Sequence, residues 1–350
     1  MVVVGADVHK QSHTFVAVDE VGRQVGQLTV AATTKGHRKV ISWAWKQFGR
    51  DLIWAIEDCR HLSARLERDL LSAGQLVVRV PPKMMAEQRR TARTRGKSDP
   101  IDALAVARAA QREPDLPVAS HDEISRELKL LVDRRETLVR QRTATINSFL
   151  WRVHELDPAM APPARSLDLA KHRERLRAWL QTLDGILTEL ALDELADITT
   201  LTERANAYEK RIRALVSEVA PTLLAMPGAG ALSAAKIVGE AAGVTRFKSE
   251  AAFARHAGIA PIPVWSGNTA GRVRHTRSGN RQLNAAIHRI AVTQIRLDGL
   301  GKTYYEKKKA EGMSTPEALR CLKRRLARVV FNNLTTDHQA RAATGLAAAA

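Results

Sequence analysis

Four acidic residues in this chain have the type and placement to hold divalent metal ions: Asp7 in VVVGADVHK, Glu57 in LIWAIEDCR, and Asp99 and Asp102 in RGKSDPIDALA. Mg²⁺ and Mn²⁺ take carboxylate oxygens and complete their shells with water and substrate phosphate. Two such ions can stabilise both the attacking and the leaving oxygen of a phosphodiester. The acids sit among 55 Lys and Arg against 37 Asp and Glu, a formal net charge of +18. Carboxylates gathered in a cationic protein point to a metal site working against a polyanion, and nucleic acid is the obvious one. Each acid also has an ordinary reading. Ser98–Asp99–Pro100 is a helix start with Asp99 at the N-cap and Pro100 in the first turn. Asp102 reads equally as a solvated helix-surface acid, and Glu57 competes with Asp58 for the inward position.

A second candidate is Ser266, in Trp265–Ser266–Gly267–Asn268, among Arg272, Arg274, His275, Arg277 and Arg281. A serine hydroxyl is a poor nucleophile unless its proton is removed and its charge stabilised. Arginines and a metal could do this on a phosphodiester, with His275 as a candidate to take the proton, although Ser-Gly in a loop also reads as a plain turn. Arg89, Arg90, Arg93, Arg95 and Lys97 precede the Asp99/Asp102 pair, and Lys323 and Arg324 belong to a basic C-terminal helix. Such groups give backbone contacts whose affinity falls steeply with salt. AMPGAGALSAAKIVG reads as a turn between helices, either a helix-hairpin-helix whose amides grip phosphate or an ordinary tight turn.

Residues 1–112 must position the acids, and they read as α/β. Apolar runs at Val2–Val4, His13–Val18, Val25–Val30, Leu52–Ile56 and Leu76–Val80 predict strands. Helical periodicity lies at Val40, Ile41, Ala44 and Phe48, and again at Leu62, Leu66, Leu70 and Leu71 before Gly74. Three strands, helix, strand, helix, strand, helix is the order of an RNase H-like (RuvC-like) fold. Asp7 then follows one strand and Glu57 ends another, while Asp99 and Asp102, three positions apart, share a helix face. Residues 120–220 read as two long charged helices, with Leu128, Leu131, Leu138 and Ile146 near heptad spacing. These form either a coiled coil between subunits or a spacer within one chain. Residues 221–335 form a mainly α-helical C-terminal domain with the helix-hairpin-helix-like element, and 336–350 a flexible tail.

Two distant cysteines, Cys59 and Cys321, give no disulfide framework or zinc ribbon and suit a reducing cytoplasm. An aromatic content of 4% argues against a base-stacking sheet. No apolar run is long enough to span a bilayer, and MVVVGADVHK is too short for a signal peptide. The expected location is a prokaryotic cytosol, near the nucleoid.

The segments GADVHKQSHTFVAV, TTKGH, AIED, KSDPIDA, LLAMPGAGALSAAKIVGE, FARHAGIAP and WSGN…SGNRQLNAAIHR, over about residues 1–335, resemble the DEDD insertion-sequence transposases related to the Piv and MooV invertases. That resemblance implies a RuvC-like domain in which Asp7, Glu57, Asp99 and Asp102 bind Mg²⁺ (Mn²⁺ being the alternative), and a C-terminal domain whose nucleophile is Ser266. It also implies a recombinase acting on DNA as a dimer or tetramer, guided by a structured bridge RNA made from the element's own end. The chain departs from the family's usual Thr-Gly after the second acid, reading Asp58–Cys59–Arg60–His61. The alternatives are a junction-resolving nuclease using metal-activated water, and a non-catalytic nucleic-acid-binding protein.

Overall fold

Five apolar runs become five strands of one sheet: β1 (Val2–Val8), β2 (Ser12–Val18), β3 (Gln24–Ala31), β4 (Leu52–Glu57) and β5 (Leu76–Val80). The computed structural model describes residues 1–57, 60–91, 98–113, 116–119, 122–271, 273–275 and 279–349. Asp58, Cys59, Arg93, Arg95, Lys97, Arg272 and Arg277 lie outside the described residues. The chain divides into two compact units, Met1–His121 and Asp122–Ala350.

In the first unit the strand order is β3-β2-β1-β4-β5. β1 pairs antiparallel with β2, and β2 with β3. β4 runs parallel to both β1 and β5. With the helices α1 (Thr34–Phe48), α2 (Arg60–Ser72), α3 (Pro82–Thr91) and α4 (Asp99–Arg112), this is the RNase H-like arrangement that the order of elements predicts. Thr33 caps α1 by accepting the Gly36 amide at 3.1 Å. In α2, Leu66 and Leu70 are buried but Leu62 is 38% exposed, so the expected four-leucine face is narrower than its spacing suggests.

Alternation along β1 splits its side chains between two layers. Val4, Ala6 and Val8 join Val40, Ile41, Ala44, Leu66 and Leu70 on the α1/α2 side. Val3 lies on the other side with Ala103, Val106 and Ala107 of α4. Gly5 shares Val3's face, and a side chain there would run into the Ala103 carbonyl and the Ala107 amide. A strand glycine is normally a weakness, tolerated where another backbone must come close. Here it lets α4 lie directly on the strand.

The second unit is mainly helical. It holds α5 (Glu123–Leu156), α6 (Ala170–Leu180), α7 (Ile186–Val219), α8 (Pro221–Ala225), α9 (Ala231–Ala241), α10 (Glu250–His256), the short strands β6 (Pro261–Pro263) and β7 (Val273–His275), α11 (Arg281–Gln294), α12 (Leu300–Ala310) and α13 (Thr315–Ala349). α5 and α7 pack along each other within the chain. At one end Phe149 and Val153 meet Leu195 and Ile198. At the other, Leu128 and Leu131 join Ile212 and Val216 in a core shared with α9, α11 and α13. The apolar seam of the two long helices is therefore filled intramolecularly. The residues from 336, expected as a flexible tail, continue α13 through Ala349, and buried Asp337 accepts the amides of Thr222 and Leu223 at 3.0 and 3.2 Å.

Candidate metal centre and serine-bearing arm

Asp7 is next but one after Gly5 on β1, so its side chain leaves the strand on the face that α4 covers. It is 8% exposed. Its Oδ2 lies 3.0 Å from Nε2 of His9, and the same nitrogen lies 3.4 Å from Oδ1 of Asp99. One ligand atom from each of Asp7, His9 and Asp99 falls within 4.8 Å of the other two. Asp102, one turn further along α4, is buried at 7% exposure, so it is not the solvated surface acid of the alternative reading. Asp99 is not the N-cap. That position belongs to Ser98, which leaves the Asp99 carboxylate turned towards His9 in the first helical turn. Carboxylates in that turn also meet the positive end of the helix dipole.

Glu57 is the last residue of β4 and pairs with Val80 of β5. It alternates with Ile53 and Ala55 towards the α4 side, where Ala55 and Ile53 pack. The parallel register that pairs Ala6 with Ile56 carries Asp7 and Glu57 to the same level of adjacent strands, which run ~4.8 Å apart. Glu57 and Asp102 stand outside the three-atom Asp7–His9–Asp99 group.

Burial pushes the Asp7 carboxyl up from its ordinary value. His9 pulls it down, and the charges of Asp102 and Asp99 push it up again. A buried Asp7 with two further acids beside it makes a cluster that a cation relieves. Two carboxylates with an imidazole between them are a donor set for a divalent ion, so the residues present fit a divalent metal. His9 escaped the sequence reading. Its signal was its spacing, two residues after Asp7 on an extended chain.

Ser266 sits in the second unit at the tip of a two-stranded ribbon. β6 and β7 pair antiparallel, Pro261 with His275 and Pro263 with Val273. Between them residues 264–271 are exposed. The Ser266 amide donates to the Thr269 hydroxyl at 3.0 Å, and the Thr269 amide and hydroxyl return bonds to the Ser266 carbonyl at 3.1 and 3.0 Å. Arg274 and Arg281 are exposed near the ribbon. Lys323 is occupied within the fold, donating to Oδ1 of Asn284 at 2.5 Å, and burial holds its pKa down. Arg324 approaches Glu250 at 4.0 Å.

The sequence matches a transposase model of the IS110 DEDD type over residues 4–154. It matches the model of the transposase IS116/IS110/IS902 family over residues 220–306. The chain belongs to the IS110-type DEDD transposases. This insertion-element transposase is 28% identical to the insertion element IS900 uncharacterized 42 kDa protein of Mycobacterium paratuberculosis, over 86% of this chain and 87% of that one. It is 26% identical to the insertion element IS116 uncharacterized 44.8 kDa protein of Streptomyces clavuligerus, over 94% and 93% of the two chains. A solved structure of T. thermophilus RuvC in complex with Holliday junction substrate aligns with 32% of the transposase and 95% of itself, at 16% identity and a TM-score of 0.25. The first family match carries the acids and the second the serine. Among the described residues of the transposase no helix is long and apolar enough to cross a membrane.

Proposed function

We propose that this transposase cuts and joins DNA through Ser266, with Asp7, Glu57, Asp99 and Asp102 holding Mg²⁺, or Mn²⁺, at the scissile phosphate. The observation that carries the reading is the meeting of Asp7 and Asp99 on His9, with buried Asp102 one turn above. A divalent ion bound there supplies Lewis-acid polarisation of a phosphate oxygen and offsets the charge that develops on it. The chain's own groups do the rest. Oγ of Ser266 forms a bond to phosphorus as the bond from phosphorus to a deoxyribose oxygen breaks. The hydroxyl proton leaves to solvent or to a base such as His275 on β7, and the departing oxygen takes up a proton. The product is a phosphodiester between serine and one DNA end, which conserves the bond energy for rejoining.

The exposed ribbon tip supports this role, because a serine that must meet duplex DNA cannot be buried. Arg274 and Arg281, with Arg272 and Arg277 in the same stretch of sequence, neutralise phosphates around it. Lys323 and Arg324 already have partners in the fold, and contribute long-range charge. The α8–α9 turn opens on a cavity of about 690 Å³ whose polar lining is Arg213, Ser233, His288, Arg289 and Thr293, with one acid, Glu209, paired to Arg213 at 3.4 Å. That lining supports the reading of the turn as a clamp on nucleic-acid backbone. Guidance by a structured RNA, and assembly as a dimer or tetramer in which the acids of one chain serve the serine of another, complete the proposal. Both rest on the family resemblance, and the cationic charge suits an RNA partner.

The test uses Ser266→Ala, Mg²⁺ and a labelled duplex spanning the junction of the element's end and its flank, with the RNA that copurifies with the protein. The expected result is loss of the denaturant-resistant protein–DNA adduct with DNA binding retained. An adduct that persists removes the serine from the chemistry. Free 5′-phosphate ends from the unsubstituted protein, with no protein attached, point instead to metal-activated water.

A further inference from the structure

The ribbon that carries Ser266 leaves and re-enters the fold at one place. Its outgoing root is His256–Gly258 at the end of α10, and its return is Gly279–Asn280 before α11. The two roots touch: the Asn280 amide donates to the His256 carbonyl at 2.7 Å. The Asn284 side chain donates to the carbonyls of Ala257 and Gly258 at 2.9 and 3.2 Å. Gly279, at φ +101°, lies so close to Gly258 that a Cβ would stand 2.6 Å from its amide nitrogen.

Under this junction lies a carboxylate, Glu240 of α9, 3% exposed. Its Oε2 accepts from Asn280 Nδ2 at 2.6 Å, and its Oε1 from Lys129 Nζ of α5 at 2.5 Å. α9 reaches Lys129 because Gly239 lets the helices cross closely; a Cβ there would meet the Lys129 Cα at 2.9 Å. Asn280 does two things at once. Its Oδ1 caps α11 by accepting the amides of Gln282 and Leu283, both at 3.0 Å. Its Nδ2 is left for Glu240. A buried carboxylate needs such partners, and its bonds to a charged donor are about twice as strong as neutral ones.

We infer that Glu240 and Asn280 are positioning residues for the nucleophile: they fix the root of an otherwise exposed arm, so that Ser266 is presented in one place rather than swept through many. The inference rests on the reading of Ser266 as nucleophile. Attack needs the reacting atoms held at near-contact distance, and a small misplacement at a distance costs large factors in rate. Tying the root to α5 and α9 removes that freedom without burying the tip.

The test is a polarity swap in the full-length protein. Asn280→Asp keeps the α11 cap, since aspartate caps well, but sets a second carboxylate against Glu240. Adding Glu240→Gln restores a donor, because the new amide can donate to the introduced aspartate while its oxygen accepts from Lys129. Three quantities are read with Mg²⁺, the labelled element-end duplex and the copurifying RNA: the single-turnover rate of the adduct, duplex affinity, and hydrogen exchange at residues 256–264 and 279–284. The inference expects Asn280→Asp to slow the adduct at least tenfold with affinity within about threefold, and the double variant to recover most of the rate. An adduct rate unchanged in Asn280→Asp, or no recovery in the double variant, overturns it. Should Asn280→Asp fail to fold, Asn280→Ser, which caps but has no amide to donate, is expected to give the same loss, and a wild-type rate in it overturns the inference equally. If Ser266→Ala still forms the adduct, the nucleophile reading fails and exchange decides the clamp. Root protection lost in Asn280→Asp and regained in the double variant supports it, and unchanged protection refutes it.

Discussion

At the scale of single residues, the first unit holds two kinds of buried titratable group with opposite demands. Asp7 is costly to ionise because it is buried and, to a lesser degree, because Asp102 and Asp99 lie beside it, so a divalent ion that binds them stabilises the folded state. At about a hundred times its dissociation constant such an ion adds about 2.7 kcal/mol. Thermal melts with and without Mg²⁺ are expected to show this shift in the wild type and to lose most of it in Asp7→Asn. His13 behaves differently. It is 2% exposed, stacked on His37 with ring centres 5.2 Å apart, while His37 bonds Asp69 at 2.6 Å. Burial, then the nearby His37 and His9, hold the His13 pKa down at about 4. The unfolded chain therefore binds a proton between about pH 6.5 and 4 that the folded chain refuses. Stability is full above that window and falls as the pH drops through it, by up to ~3 kcal/mol on the scale of 1.36 kcal/mol per pKa unit. His13→Leu is expected to flatten the denaturant midpoint across that range.

At the scale of elements, the site depends on how closely α4 can lie on β1. Gly5 is the contact. Gly5→Ala overfills it and is expected to destabilise by about 1–3 kcal/mol, the usual range for overpacking. The same change moves Asp99 and Asp102 away from Asp7, so Mn²⁺ affinity measured by calorimetry should fall more than stability does. The strands were legible in the sequence because β1, β2, β4 and β5 are buried apolar runs between clear turn residues. The close approach at Gly5 was not, since a glycine in a strand says nothing about which backbone comes near. The start of α4 was misread by one residue, because Ser98 and Asp99 both suit an N-cap before Pro100. The pairing of α5 with α7 was open as well. A heptad seam is the same whether its partner is another helix of the chain or another copy, and only the chain's path, with Phe149 against Leu195, decides it. The ribbon escaped because its strands are three residues long and one of them begins and ends in proline, which weakens any strand signal.

At the scale of the whole molecule, the two family matches divide the chemistry between two compact units: the acids fall in the first and the serine in the second. In the proposed function neither part is enough alone. There the acids hold a metal that polarises a phosphate, and the serine bonds to phosphorus only where such a phosphate is presented. The net charge of +18 brings both to nucleic acid and makes every binding step salt-sensitive. The account thus stands on a covalent bond between this protein and DNA, made at Ser266 and dependent on acids in a different unit. Peptide mapping by mass spectrometry, after Mg²⁺-dependent reaction with the element-end duplex and nuclease trimming, reads that bond directly. The account predicts a nucleotide on the peptide bearing Ser266 in the wild type and none in Asp99→Asn. A nucleotide on any other residue, or cleaved DNA with every peptide unmodified, would contradict it.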